Sequence, residues 1–411
     1  MNSKRPDLLA AALMIMAIIL LAAMTWANFQ LASQAPGGND FVARWVGTRM
    51  YIMEGLSPYS VETSEAIQEF FYGRLAEGTE DHQLFVYPHY SMLVFAPFAL
   101  ISDFTLARSV WMTALEVGLI ATIAISLALT GWRPQPLMLG LLILFGVIWY
   151  HGFRPVINGN AAVLVGFFIA LTLLLIKMEW DRGAGVLLAL STVKPQMVVL
   201  LVPLIIFWAL SNKRWLFIKS FMLAMLLLVG GSLLIEPDWI INNLLQVLFY
   251  PKYTEPGTLG LIFSVWWPGV GQGLGLIFSV LFSILIIIET ILLWGMGNRK
   301  LIWTACLVLV ITNLIGIRTA TANFAALMPA LILIFAEWHN RWGNSGQKLI
   351  LVTMATLFAG LWLLFINTLE VGAGDQPIQN PILFFPLPIF LLVGLYWVRW
   401  WAVRPARSSY S

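Results

Sequence analysis

Long apolar runs separated by short polar breaks dominate the chain. The runs that read as helices cover residues 8–29, 90–102, 104–130, 137–150, 160–177, 183–193, 196–211, 215–235, 271–295, 301–317, 324–338, 348–366 and 383–401. A helix needs about 20 apolar residues to cross some 30 Å of hydrocarbon, so several runs are full spans and the shorter ones are half-spans. The pattern predicts an all-α polytopic membrane protein with about ten to thirteen transmembrane or half-membrane helices. Residues 1–411 form one integral membrane domain: a first outer loop (30–84), core helices with a broken hairpin near 194 (85–235), and C-terminal helices with outer loops (236–411).

Lysine and arginine placement orients the chain. Lys4/Arg5, Lys213/Arg214/Lys219, Arg299/Lys300, Arg341/Lys348 and Arg399/Arg404/Arg407 mark the cytoplasmic side, with both termini there. Loops 236–270 and 367–382, poor in these residues, fall outside. Lys177 to Arg182 and Lys213/Arg214 both read as cytoplasmic although only Gly183 to Ser211 separates them. Two short helices broken at Lys194-Pro195 resolve the parity, because proline removes a backbone donor and clashes with the preceding turn. The Lys4/Arg5 start resembles a signal peptide, but the apolar run is too long, and it reads as a retained first helix.

The polar loop after the first run holds Asp40, Glu54, Glu62, Glu65, Glu69, Glu77, Glu80 and Asp81 against Arg44, Arg49 and Arg74. Within it Tyr59 to Leu75 forms an amphipathic helix, with Ile67, Phe70, Phe71 and Leu75 on one face. Composition agrees with the pattern: 60% of the residues are hydrophobic and 10% charged, and mean hydropathy is +0.85. So few charges cannot keep a soluble surface wet. The net charge of +3 is spread over short loops, which is membrane orientation rather than a nucleic-acid groove. The 19 tryptophans suit an interfacial belt. The single cysteine, Cys306, lies in an apolar run and offers neither a disulfide nor a metal pair. No metal site, cofactor motif or nucleotide-binding pattern is present.

Five polar elements break the apolar pattern and are the candidate chemistry. Asp40 stands beyond the first helix with Arg44 one turn on; a carboxylate beside a guanidinium can take a hydroxyl proton and hold a phosphate, or Asp40 simply caps a helix starting at Phe41. Tyr87 and His89 sit at the loop's far end, either as a titratable contact or as an interfacial turn. Asn158 and Asn160 flank Gly159 and can bind sugar hydroxyls or phosphate, or cap a helix. Lys194, followed by Gln196, lies deep in apolar sequence; a buried unpaired ammonium costs at least about 2.5 kcal/mol, so it must pair, snorkel or bind an anion. Arg318, near Asn323, is a second anion holder or an interfacial snorkelling residue. Gathered at the outer side, these groups suit an anionic headgroup and a hydroxyl acceptor.

Four segments carry a family resemblance. DFVARWVGTRMYIMEGLSPY, FVYPHYSMLVFAPFALI, NGNAAVLVGFFIALTLLL with GVLLALSTVKPQMVVLLVPL, and ATANFAALMPALIL occur in the order found in the membrane glycosyltransferases of family 87, over about residues 39 to 335. The chain resembles that family, which includes polyprenyl-phosphate-mannose-dependent mannosyltransferases. The resemblance implies a GT-C fold, no cofactor, a polyprenyl-phosphate sugar donor, a lipid or glycolipid acceptor, and a cell-membrane enzyme with its site on the outer face. It makes Asp40 the catalytic residue; Arg44, Lys194 and Arg318 then bind donor phosphate, and Tyr87, His89, Asn158, Asn160, Gln196 and Asn323 line the substrate site. Relatives often carry a histidine before ALMPAL; here the segment reads RTATAN, which leaves the acceptor open. The rival expectation is a transporter or flippase for a lipid-linked sugar or organic anion, since broken helices and a buried lysine fit that class too.

Overall fold

The computed structural model describes residues 5–78, 80–250, 258–315, 317, 319–371 and 377–404. It is an all-α membrane protein. At the N-terminal side, α1 (Arg5–Gln34) is followed by α2 (Asn39–Glu54) and α3 (Val61–Tyr72). A single 3-10 turn at His89–Ser91 leads into α4 (Met92–Ala99), then the long α5 (Phe104–Thr130), α6 (Pro136–Ile148), α7 (Tyr150–Asn158), α8 (Ala162–Lys177), α9 (Asp181–Ser191) and α10 (Leu201–Ser211). Next come α11 (Trp215–Met225), a π-helical stretch (Leu226–Gly230), α12 (Gly231–Ile235), α13 (Trp239–Leu248) and α14 (Leu259–Trp266). The remaining helices are α15 (Gly271–Ile291), α16 (Asn298–Thr312), α17 (Met328–Asn367) and α18 (Pro386–Val403). A two-residue antiparallel pair, Glu370–Val371 with Pro377–Ile378, is the extended structure among the described residues.

Among the described residues, six helical segments are long and apolar enough to span a bilayer, and seven if α6 and α7, bent by 48°, count as one. The shorter helices α8 and α10 fill the bundle between them. Most predicted runs fall on observed helices, and the run 104–130 coincides with α5. The hairpin breaks where Lys194-Pro195 predicts, with a 3-10 turn at Pro195–Met197 between α9 and α10. Two expectations need correction. Residues 236–270 were expected to be an outer loop, but they hold α13 and α14, the latter packed so closely on α15 that Gly275 meets the backbone of Gly260. No helical run is predicted over 151–159; the structure has α7 there, ended by Gly159 in the left-handed conformation at φ 70°. In addition, 324–338 and 348–366 are continuous in α17, which turns sharply at Gly343 (φ 51°) and so keeps the two runs distinct.

Two packed regions divide the interior. The larger joins the far half of α5 with α6, α8, α9, α10, α16, α17 and α18, with α16 buried from Lys300 to Thr312. The smaller joins α2, the 85–95 segment, the near half of α5 and the α7–α8 junction. α5 crosses both. Trp111 packs in the smaller region, whereas the Ala128 and Leu129 carbonyls at its other end accept from Lys177 Nζ, each at 2.9 Å.

Two of the carboxylates within the spans, Glu116 and Glu289, have partners, as low-dielectric surroundings require. Asn28 Nδ2 donates to Glu116 at 2.9 Å, tying the otherwise lipid-facing α1 to α5. Glu289, on α15, is ion-paired to Lys300 on α16 and at 3.0 Å to Arg399 on α18. Glu289→Leu strips two cations of their counter-charge, and breaking a buried pair this way costs about 3–5 kcal/mol. A lowered unfolding midpoint in detergent is expected; an unchanged midpoint would show that the triad does not hold α15 in place.

Candidate functional site

The site is built around α2. Its first turn is set by Gly38, which caps the helix at φ 80° and donates through its N–H to Ile157 O at 3.0 Å. Asp40 is therefore the second helical residue, and the capping role open to it in the sequence belongs to Gly38. α2 buries Phe41, Val42, Ala43, Arg44, Trp45, Val46, Gly47 and Thr48. The Phe41 ring stacks on Trp111 at 5.6 Å, and Trp111 Nε1 donates to Gly159 O at 2.8 Å. Trp45 Nε1 and Arg49 fasten α2 to the carboxyl end of α4 through the carbonyls of Phe98 and Ala99, at 3.1 and 2.9 Å. Of the two, Ala99 O is the one that the end of α4 leaves without a backbone partner, since Phe98 O also accepts Ile101 N at 3.1 Å.

Behind α2 lies a residue that the sequence reading did not single out. Arg108, in the second turn of α5, is buried and reaches the carbonyls of Ala35 at 3.1 Å, Pro36 at 3.4 Å and Ile157 at 3.3 Å. It locks the end of α1 to the end of α7. The available signal was a lone arginine early in an otherwise apolar run.

Asp40, Arg44, Tyr87, Asn160 and Lys194 come together. Lys194 is 4% exposed, and its Nζ donates to Asn160 Oδ1 at 2.9 Å. The same oxygen accepts Ala162 N at 2.9 Å, so one amide both starts α8 and receives the lysine. The charges of Asp40 and Arg44 both act on Lys194. The Arg44 guanidinium lies over the Tyr87 ring, 4.3 Å from its centroid, and its buried Nε has no partner. Burial pushes the Tyr87 hydroxyl up to about 12; Arg44 opposes that shift and Asp40 adds to it. Asp40 itself is half-exposed, and its carboxylate makes no hydrogen bond or ion pair among the described residues. The group thus holds two cations, a buried amide and an open carboxylate. That is a cradle for an anion beside a base.

The other predicted site residues divide. His89 is buried, edge-on to Tyr51 at 5.1 Å, and burial lowers its pKa below the usual histidine range while Glu236 opposes the shift. Asn158 ends α7, and Gln196 lies in the turn after Lys194; both are half-exposed, and neither side chain bonds to the Asp40 group. Asn323 belongs to a separate polar cluster. Its Nδ2 donates to Thr319 Oγ1 at 3.0 Å, and its Oδ1 is buried without a partner. The RTATAN segment lacks a histidine of its own, but α7 brings one to it: His151 Nδ1 lies 3.2 Å from Thr321 O and its ring 4.9 Å from Phe324. Arg318 lies outside the described residues. Some of the acids between α1 and α4 are engaged locally. Arg74, for instance, grips Glu80 through both oxygens and holds its carboxyl down at about 2.

Gly159 sets the spacing between α7 and α2. A Cβ there would lie 2.6 Å from Phe41 Cβ and 3.1 Å from the Trp111 ring. Gly73 has the same left-handed backbone, at φ 71°, with nothing within 4 Å. Both alanine variants carry the backbone strain of about 1–3 kcal/mol, so Gly159→Ala should lower the unfolding midpoint more than Gly73→Ala. Equal effects would show that α2 is not held by this contact.

A family model matches this chain over residues 85–316, a stretch that includes Tyr87, His89, Asn158, Asn160, Lys194 and Gln196. α2, with Asp40 and Arg44, precedes the matched stretch and joins its residues through the contacts above. Comparison with curated proteins gave no match, and neither did comparison with solved structures. The match spans more than half of a helical membrane protein, and this chain belongs to glycosyltransferase family 87: it is a membrane glycosyltransferase.

Proposed function

We propose that the protein transfers a hexose, with mannose favoured by the family resemblance, from a polyprenyl-phosphate sugar to a hydroxyl of a lipid-linked or glycolipid acceptor. The reaction takes place at the outer face of the cell membrane. The observation that carries this reading is the buried Lys194, bonded to Asn160 at 2.9 Å and within reach of the charges of Arg44 and of a half-exposed Asp40 whose carboxylate stays open.

The chemistry follows from those groups. The donor phosphate lies against Lys194 and Arg44, whose charges grow more valuable as the bond to the anomeric carbon breaks and negative charge builds on the leaving phosphate. Asp40 takes the proton from the acceptor hydroxyl as its oxygen attacks the opposite face of that carbon. One displacement inverts the configuration. Arg318 is a third candidate for the phosphate, and Tyr87, Asn160 and Gln196 for the sugar.

The face of the membrane is inferred from the distribution of charge. Lys177 reaches the carboxyl end of α5, Arg214 pairs with Asp181, and Trp208 Nε1 and Asn212 Nδ2 bond Met296 O beside Arg299. The basic loops therefore collect at one end of the bundle, which the positive-inside tendency assigns to the cytoplasm. The Asp40 group sits at the other end of α5, near Arg108 and Trp111.

The test uses purified protein in lipid vesicles with a radiolabelled polyprenyl-phosphate hexose and a glycolipid acceptor. Labelled acceptor and free polyprenyl phosphate should appear together. Donor crossing the vesicle membrane unhydrolysed, with no free polyprenyl phosphate, would instead establish a flippase. Asp40→Asn should bind donor normally yet lose transfer by about 10²–10⁴-fold, the worth of general-base assistance; near-normal turnover would remove Asp40 from the mechanism. Lys194→Met should show its effect in donor affinity, weakening it at least about ten-fold as a charge-assisted phosphate contact is lost, and unchanged affinity would place the phosphate elsewhere.

A further inference from the structure

A second group of polar and aromatic side chains gathers about the Tyr87 carbonyl. α13 docks on the 85–91 turn: Asn243 Nδ2 donates to Tyr87 O at 3.0 Å, and Gln246 Oε1 accepts Val86 N at 3.1 Å. Tyr59 Oη donates to the same Tyr87 carbonyl at 2.7 Å, and Gln246 Nε2 reaches Tyr59 O at 3.4 Å. The ring of Tyr87 faces Arg44, so this one residue joins the Asp40 group to the second one.

Glu236 precedes α13, and its carbonyl accepts Trp239 N at 3.2 Å. It lies close enough for its charge to act on Tyr51, Tyr59 and His89. It is half-exposed and forms no hydrogen bond through its side chain and no ion pair among the described residues. Aromatic rings pair beside it. Tyr51 stands edge-on to His89, and Tyr90 edge-on to Trp239 at 5.8 Å. Two buried ring nitrogens have no partner: His89 Nε2 and Trp239 Nε1, on residues only 4% and 6% exposed. Buried polar atoms are normally paired, so unpaired ones gathered about an open carboxylate mark where a ligand completes the bonding.

We propose that Glu236, His89 and Trp239, with the rings of Tyr51, Tyr59 and Tyr90, form a subsite for a sugar ring of the acceptor. The proposal rests on the transfer reading above and adds to it where the acceptor's glycan sits. The chemistry selects a sugar. An ionised carboxylate only accepts hydrogen bonds and can take both hydroxyls of a vicinal diol; an indole N–H only donates and needs a lone pair. A sugar hydroxyl does both. Aromatic faces cover the C–H faces of the ring, while the carboxylate fixes its orientation. An ammonium headgroup would also suit a carboxylate among aromatic rings, but it has no lone pair for Trp239 Nε1. With Tyr87 joining the two groups, a glycan held here presents its next hydroxyl toward Asp40.

Saturation-transfer NMR on the full-length protein in nanodiscs, with methyl hexopyranosides as probe, tests the subsite without any donor. Binding is expected in the wild type and in Asp40→Asn. It should weaken roughly ten-fold in Glu236→Gln, as charge-assisted bonds become neutral ones, and also in Trp239→Phe. In the transfer assay Glu236→Gln should raise the acceptor KM by a similar factor while donor affinity and kcat stay near wild type. Absence of wild-type hexoside binding overturns the proposal, as does a Glu236→Gln acceptor KM equal to wild type. Displacement of the hexoside signal by tetramethylammonium, with stronger binding of that cation, overturns it in favour of an amine headgroup. If the wild type binds hexosides through Glu236 but transfers nothing, the subsite stands and the transfer reading alone fails.

Discussion

The Asp40 end of the molecule is organised by the need to satisfy the Lys194 amine where little water reaches it. Placing such a group in a membrane interior costs at least about 2.5 kcal/mol, and nothing on its own hairpin offsets this. Asn160 supplies the acceptor and Asp40 the counter-charge, each from a different part of the chain. Once Lys194 points at Asn160, the α8 start, the α7 end and the α2 start must converge. Arg108, Trp111 and Gly159 are the means by which they do so: a hub for loose carbonyls, a ring for α2 to stack on, and a glycine that lets the two helices touch.

Short helices rather than loops make this convergence possible. α4 and α7 each end close to the site, and carbonyls at their ends accept from Trp45, Arg49 and Arg108. Irregular backbone at this depth is tolerated only when protein groups satisfy it. The result is a rigid frame around a carboxylate that has itself been left unbonded. Rigidity around an open reactive group is the arrangement that catalysis by positioning and electrostatics calls for.

The intramembrane acids serve a different purpose. Glu116 and Glu289 are matched by Asn28 and by Lys300 with Arg399, and they tie α1 and α15 to helices they would otherwise leave facing lipid. Asp40 and Glu236, whose carboxylates make no hydrogen bond or ion pair among the described residues, stand at the Tyr87 end of the bundle.

Much of this was legible in the chain itself. Hydropathy set the class and most helices, because lipid penalises every unpaired backbone group and leaves helix as the local solution for a lone apolar run. The break at Lys194-Pro195 followed from proline's missing donor, and Asp40, Arg44, Asn160 and Lys194 stood out as polar residues in apolar surroundings. What stayed hidden depended on distant contacts. α7, α13 and α14 are short and gain their stability from packing, which propensity does not record. Nothing beside them in the chain singles out Glu236, which α13 brings to the 85–91 turn, or Arg108, which meets the carbonyls of Ala32, Ala35, Pro36 and Ile157. Local sequence decided which segments enter the membrane. Only the tertiary structure decided which polar groups meet there, since partners far apart in the chain are chosen by how helices pack and not by the residues beside them.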